Sequence, residues 1–419
     1  MDFLHCGFEE PTEKKLLNYD IVAISVLTSM ANNAYKVGDM CKNLGIKCVM
    51  GGIHTYVLPE EARQHCDSVI LGEAEYIWQK VLIDAEKDAL QPFYKGTLTK
   101  PEDFPIPDLS IYKKYRFFTT KLAEIVRGCP YNCRFCGATM YSGRQYRYKR
   151  VENIVKEIEN WDGGRRIAHF TNTNLNASPK KTLEIMERIK DYNLRWWSAC
   201  SVDILDHEDM IKAVADAGCL VLQFGFESIS KETLKSMNKQ FNIKRDYRML
   251  VKKCHDYGIE VGASFIFGWD TDTKDVFKNT VEFALDADID IPGYLPLTPF
   301  PGTEIYKELM AQNRILTNDW SKYNWNTCVY RPKNMTREEL LNGCYYAYQE
   351  SYSTRSIFHR LFSRPRGFKE SMLLLLFSGL GRFVILQSKS HWRTEEKRRY
   401  IFPSTVPSHI RHELAIDDK

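Results

Sequence analysis

From about residue 121 to residue 318 the chain repeats one pattern: an apolar run of strand length, then a stretch whose apolar residues fall at helical spacing. The strand-like runs cover 121–127, 166–171, 195–201, 219–226, 260–267 and 291–297. The helical stretches cover 151–161, 179–192, 207–217, 230–238 with 244–257, 273–286, and a last one from residue 303. Short runs that are apolar throughout are buried on both faces, and helical crossovers between them make the sheet parallel. Six such units fit a partial (β/α)6 barrel of TIM type better than an open sheet, although periodicity alone does not separate the two. The fold class is therefore α/β.

Flanking segments differ in character. Residues 20–26, 47–50 and 68–71 are three more strand-like runs, with helices expected at 31–44 and 74–87, which reads as a smaller Rossmann-like α/β unit. Pro92, Pro101, Pro105 and Pro107 mark 92–114 as a linker. The last hundred residues are aromatic-rich and read as mostly helical. The expected parts are thus 1–112, 113–318 and 319–419.

Twelve cysteines in a chain of 419 residues do not make a small disulfide scaffold. The first residues are acidic and polar, without the apolar core of a secretory signal, so a reducing cytoplasmic setting is expected. Nine cysteines are scattered and read as buried thiols. Three are clustered in Arg127-Gly128-Cys129-Pro130-Tyr131-Asn132-Cys133-Arg134-Phe135-Cys136-Gly137. Three thiolates on one loop can hold three corners of an iron–sulfur cubane and leave the fourth iron open. Structural zinc would want a second pair of ligands, and none follows. The loop sits at a strand end, where barrel enzymes place their chemistry.

This C-x3-C-x2-C loop, with aromatic Phe135 before its last cysteine and opening a series of (β/α) units, resembles the radical S-adenosylmethionine (AdoMet, SAM) superfamily. The resemblance implies a [4Fe-4S] cluster on Cys129, Cys133 and Cys136, whose open iron chelates the amino and carboxylate groups of AdoMet. It implies reductive cleavage of AdoMet by an electron from a donor such as flavodoxin or ferredoxin, and hydrogen abstraction by the 5′-deoxyadenosyl radical. Matched position by position, Asn172 and Asn174 fall where relatives hold the AdoMet amino group, here without a carboxylate. Glu227 and Ser228 fall near the ribose hydroxyls, and Ile266 and Gly268 on the adenine-side strand. Phe135 and Ser201 complete the cofactor-binding set, with Asp203 facing the same pocket. The alternative for Glu227 is an acidic residue ahead of the next helix.

Gly51-Gly52-Ile53-His54 and Val69-Ile70-Leu71-Gly72-Glu73-Ala74-Glu75 resemble the cobalamin-binding-type domain that precedes many radical SAM cores. Only three of its five strands are expected here, and the loop that supplies a cobalt-ligating histidine is missing. His54 reads as a structural or surface residue. These departures argue against cobalamin binding by this chain alone and point to a shortened domain or a partner over its edge. Thr298-Pro299-Phe300-Pro301-Gly302-Thr303, Trp320, Tyr330-Arg331-Pro332-Lys333 and Met335-Thr336 resemble the subgroup that includes hopanoid C-methylases. The leading expectation is abstraction of hydrogen from an unactivated C–H bond, in the service of C-methylation of a lipid-like substrate. The alternatives are a cobalamin-independent rearrangement or C–C bond formation, and a non-catalytic iron–sulfur protein. No second cysteine trio suggests tRNA methylthiolation, so nucleic acid is not an expected partner.

Residues 351–419 carry a net charge of +7, which suits an anionic membrane surface or polyanion, or a solvated face. The apolar run 372–386 contains Arg382 and falls short of the roughly 20 residues that span a bilayer. It reads as a core helix or as an interfacial helix making peripheral membrane contact.

Overall fold

The computed structural model describes residues 9–108, 121–161 and 167–364, with isolated positions nearer each end. The N-terminal unit is a four-stranded parallel sheet: β1 (Ile21–Ser25), β2 (Lys47–Gly51), β3 (Ser68–Leu71) and β4 (Phe93–Lys95), in that spatial order. Its helices are α1 (Glu13–Leu16), α2 (Ala31–Asn43), α3 (Ile53–Val57), α4 (Pro59–Arg63) and α5 (Trp78–Glu86). Helix α2 buries Ala31, Ala34, Tyr35, Gly38 and Cys41, the three-to-four spacing of one helix face. Strand β4 lies inside the segment read as linker. It has three residues, of which only Tyr94 is buried, with its hydroxyl 2.7 Å from Asp84, so the nearby prolines outweighed its pattern.

The second unit is a six-stranded parallel sheet in the order β12-β11-β10-β9-β8-β5, each strand followed by helices. Its elements are β5 (Lys121–Glu124), β6 (Val126–Arg127), α6 (Ala138–Ser142), β7 (Arg147–Tyr148), α7 (Val151–Glu159), β8 (Ile167–Thr171) and α8 (Pro179–Ile189). They continue with β9 (Arg195–Cys200), α9 (Glu208–Asp216), β10 (Cys219–Glu227), α10 (Lys231–Ser236), α11 (Tyr247–Asp256), β11 (Glu260–Phe267), α12 (Val276–Asp286), β12 (Ile291–Pro296) and α13 (Glu304–Ala311). The run 121–127 is not one strand. It breaks at buried Ile125, whose carbonyl accepts the Lys149 amide, and β6 leaves the barrel to pair antiparallel with β7. The cysteine loop is therefore the loop of a small hairpin.

Strand alternation separates two environments. Trp196, Leu222, Phe224, Phe226, Val261, Ala263, Phe265 and Phe267 are buried against the helices. Half-buried Trp197, Ala199, Gln223, Gly225, Ser264, Ile266, Gly293 and Leu295 alternate with them and line the lumen. There His169 stacks on Trp197 with ring centroids 3.5 Å apart, and Gln223 donates to the Ser264 hydroxyl at 2.9 Å. Burial lowers the His169 pKa to about 4.

Beyond the barrel, residues 315–330 fold back along both units. Trp320, Tyr323 and Val329 join the core of the N-terminal sheet, and the Trp320 indole N–H donates to Glu61 at 2.7 Å. Helix α14 (Arg337–Ser351) opens with a Thr336–Glu339 capping box and packs on α12 and β12. Helix α15 (Thr354–Phe362) follows. No helix among the described residues is long and apolar enough to cross a membrane. Most of the run 372–386 lies outside the described residues.

Candidate active site

The cysteine loop hangs between the C-terminal end of the barrel strands and the N-terminal sheet. Its start requires Gly128: φ is +78°, and a Cβ there would lie 2.1 Å from the Gln145 carbonyl oxygen. The loop's main chain is held by its surroundings. The Cys129 amide donates to Gly143 at 3.1 Å, the Arg134 amide to Met237 at 3.0 Å, and the Gly128 carbonyl accepts the Thr173 hydroxyl. The Asn132 carbonyl accepts from Asn238 at 2.7 Å, and the Arg134 carbonyl accepts the Ile305 amide at 3.1 Å. Side-chain bonds add to this: Arg134 pairs with Glu308 and donates to Ser236 at 2.9 Å. With several of its backbone groups tied to the protein, the loop offers its three half-buried thiols to a ligand. Burial pushes the Cys133 thiol up to about 11 and raises Cys136 too, so these groups become thiolates when a metal takes the proton's place. Three thiols with an open fourth corner fit a [4Fe-4S] cluster.

Two polar clusters flank the loop. On one side Tyr146 lies 3.9 Å from the Cys129 sulfur and accepts a hydrogen bond from Asn174 at 3.1 Å. Asn174 also donates to the Ser201 hydroxyl at 2.9 Å and accepts the Ser201 amide at 2.9 Å. Ser201 bonds Asp203, which also takes the hydroxyl of loop residue Tyr131 at 3.3 Å and the Asn176 amide at 2.7 Å. Asn174, Ser201 and Asp203 are thus brought together beside the cysteines. Asn172 is not: its amide donates to Ser198 at 2.7 Å and to the Phe170 carbonyl at 3.0 Å, on the helix-facing side of the strands.

On the other side Glu227 sits at a bulge in β10 with φ of +63°, a conformation few residues other than glycine adopt. Its carboxylate lies 3.1 Å from the Lys239 ammonium. Gly225 leaves room for this pair, since a Cβ there would be 2.3 Å from the Glu227 oxygen and 3.0 Å from the Lys239 nitrogen. Burial alone would lower the Lys239 pKa, yet Glu227 and the nearby Cys133 and Cys136 hold it above its ordinary value. Lys239 also lies 5.9 Å from the Phe135 ring centre, and Phe135 meets Trp269 edge-on at 6.2 Å. Ser228 turns instead to the next turn, where its hydroxyl accepts the Ser230 amide at 3.1 Å. Ile266 faces the lumen beside Leu295. Both backbone groups of Gly268 are engaged by protein: its amide donates to Asp272 at 2.9 Å and its carbonyl accepts Tyr330 at 2.5 Å.

Sequence reasoning missed Lys239 and Tyr146. Neither sits in a motif, and only the folded chain brings them to the cysteines. His54 is structural: it is fully buried, 2.9 Å from the Tyr35 hydroxyl and edge-on to Trp320. A crevice of about 230 Å³ lies between the C-terminal ends of β3 and β4 and helix α6, lined by Tyr56, Gly72, Glu73, Leu98, Met140 and Tyr141.

The Radical SAM superfamily model matches residues 123–284. The chain is 32% identical to bacteriochlorophyllide d C-12(1)-methyltransferase of Chlorobaculum tepidum, over 83% of this chain and 78% of that protein. It is 23% identical to hopanoid C-2 methylase of Rhodopseudomonas palustris, over 76% of this chain and 66% of that protein. Its fold is similar to the radical S-adenosylmethionine methyltransferase TsrM of Kitasatospora setae, solved with cobalamin and a [4Fe-4S] cluster. The TM-score is 0.66 at 14% identity, covering 90% and 91% of the two chains. The chain belongs to the radical SAM superfamily, in the family of the bacteriochlorophyllide d C-12(1)-methyltransferase.

Proposed function

We propose that this radical SAM enzyme methylates carbon on a large, mostly apolar substrate of the tetrapyrrole or polycyclic terpenoid class. The observation that carries the reading is the position of helix α6. It follows Cys136 directly and forms one wall of the crevice at the N-terminal sheet, so the cysteine loop and the crevice share a wall. Two cofactor positions side by side suit a reaction that needs both a radical and a transferable methyl group.

In this reading Cys129, Cys133 and Cys136 hold the cluster, and the bound cluster with AdoMet supplies a hydrogen-abstracting radical. Lys239, with Glu227 behind it, offers a cation to the AdoMet carboxylate, a charge-assisted contact in a site that excludes water. Asn174 and Ser201 offer acceptors to its amino group, with Asp203 supplying the carboxylate that Asn174 lacks. Phe135 and Ile266 give the adenine an apolar surface. The lumen, with its His169–Trp197 stack, presents a flat aromatic face to the substrate.

Cobalamin fits this chain only in part. The crevice offers space at the strand ends, but its volume is below that of pockets enclosing drug-sized ligands, and no histidine lines it. His54 is committed to the core. Bound there, cobalamin would serve as methyl carrier, and Gly72, Glu73 and Tyr141 are among the residues that would hold it. Peripheral membrane contact through the C-terminal region belongs to the same reading. Phe358 and Phe362 stack on the exposed side of α15, just ahead of the basic tail, and would seat it on an anionic surface holding an apolar substrate.

The test is anaerobic incubation of the reconstituted chain with methyl-deuterated AdoMet, dithionite, hydroxocobalamin and a panel of tetrapyrroles and polycyclic terpenoids. A product carrying the labelled methyl group is expected. Formation of 5′-deoxyadenosine with an unmethylated, rearranged or cyclised product would replace methylation by rearrangement or ring formation.

A further inference from the structure

We propose that Glu73 is a positioning residue that sets the cysteine loop against the N-terminal sheet, acting through Arg127 and Arg147. The hairpin carrying the cysteines has a weak stem. Strands β6 and β7 are two residues each, paired only at Val126–Tyr148 and Arg127–Arg147. So short a ladder does not fix the orientation of the long loop it closes. Barrel residues hold parts of the loop, and a further constraint on the hairpin stem comes from the other unit.

Glu73 follows β3 and is 5% exposed. Its carboxylate accepts both terminal nitrogens of Arg147, one at 3.0 Å, and the Thr99 amide at 2.7 Å, and Arg127 lies 3.3 Å away. Arg127 is the last residue before Gly128-Cys129, and Arg147 begins the returning strand. One carboxylate thus spans both stems of the hairpin.

Each arginine is fixed further. Arg147 donates to the carbonyls of Thr99 at 2.6 Å and Ser142 at 3.0 Å, the latter at the end of α6. Arg127 donates to Glu75 at 2.6 Å and Glu124 at 2.9 Å. The buried Phe104 ring lies 4.5 Å from one guanidinium and 5.5 Å from the other. Bidentate arginine–carboxylate bonds fix angle as well as distance, which is what a positioning contact needs. Glu73 also lines the crevice, so it borders both the proposed second-cofactor space and the hairpin of the first.

The inference rests on the cysteine loop holding the cluster, not on which product the enzyme makes. Its test therefore uses 5′-deoxyadenosine, which reports radical chemistry whether or not a methyl group moves. Full-length wild type, Glu73→Gln and Glu73→Asp are reconstituted anaerobically. Iron content, the electron paramagnetic resonance signal of the reduced cluster with and without AdoMet, and the rate of 5′-deoxyadenosine formation per cluster are measured. Glu73→Gln should load iron as wild type does, with an altered AdoMet-dependent signal and a rate per cluster lower by about ten- to a hundredfold, the scale of an ångström-sized misplacement. Glu73→Asp should recover part of the rate. If Glu73→Gln does not fold, Arg147→Lys keeps the charge and removes the bidentate geometry, and the same loss per cluster is expected. Wild-type rate and signal per cluster in the folded variant would overturn the proposal. So would a fall in 5′-deoxyadenosine that merely tracks lost iron.

Discussion

At the N-terminal end of the barrel strands, Asp290 accepts from His255 at 2.7 Å and from the Val261 amide at 2.8 Å, and Arg364 lies 2.8 Å from Glu260. At the C-terminal end, three thiols sit on a loop anchored to the protein at several backbone groups, with the Glu227–Lys239 pair and the Asn174–Ser201–Asp203 cluster on either side. Both ends bury charge. At the first, protein groups meet protein groups, and the Arg364 guanidinium stands where an acidic cluster with a histidine would otherwise attract a metal ion. At the second, the flanking groups are held in place beside three thiols. Charge paired within the protein closes the fold at the lower end, and three thiols between two polar clusters make a site at the upper end, which is the division expected of barrel enzymes.

The largest expected effect comes from the thiols. Replacing Cys129, Cys133 or Cys136 by Ala should abolish 5′-deoxyadenosine formation and lower bound iron, with little change in the thermal unfolding of the apoprotein. Asp290→Ala should do the reverse. It strands the His255 ring and the buried Val261 amide, so it should cost about 3–5 kcal/mol in denaturant unfolding while the rate per folded, loaded molecule stays near wild type. If that rate falls with stability intact, the two ends are not separable. Lys239→Met and Glu227→Ala should each weaken AdoMet binding by about ten- to a hundredfold, the worth of a charge-assisted hydrogen bond, and leave iron loading largely unchanged. Loss of iron with unaltered AdoMet affinity would make the pair structural.

The smallest effects separate the ends by the sign of a pH slope. Burial alone would raise the Asp290 carboxyl, but its hydrogen bonds with His255 and Glu260 hold it below the ordinary carboxylate range. Its unfolded form takes up a proton first, so its contribution is complete at neutral pH and fades as pH falls below about 4. Asp272, beside Gly268 at the upper end, is pushed up to about 6 by burial, against the backbone hydrogen bonds it accepts from Gly268 and Trp269. Its folded form takes up the proton first, so its contribution is full below about pH 4 and is lost as pH rises through about 6. Asp272→Asn should flatten stability between those values, and Asp290→Asn should flatten it below them, both read by denaturant titration across pH.

The barrel and the cysteine loop were legible because each has a local signature, six strand–helix periods in one case and three thiols at fixed spacing in the other. The break at Ile125 was not, because an apolar run does not reveal which hydrogen-bond partner each residue takes. Strand β4 was hidden by its length and by the prolines around it. Among the site residues, Asn174 and Asn172 look equivalent in sequence. Two positions apart beyond a strand end, they turn to opposite sides, one to Ser201 and Tyr146, the other to Ser198. Lys239 lies 12 positions from Glu227 and reaches it only through the bulge and the turn of α10. The clamp of Glu73 on the cysteine hairpin joins residues 74 positions apart in different units and has no local signal.

The most direct test of cluster chemistry on the cysteine loop is anaerobic reconstitution of the wild type and of a triple Cys129→Ala, Cys133→Ala, Cys136→Ala variant, each given AdoMet and dithionite. Cluster chemistry on these thiols predicts a [4Fe-4S] signal that changes on AdoMet addition and 5′-deoxyadenosine from the wild type alone. Formation of 5′-deoxyadenosine by the triple variant would contradict it.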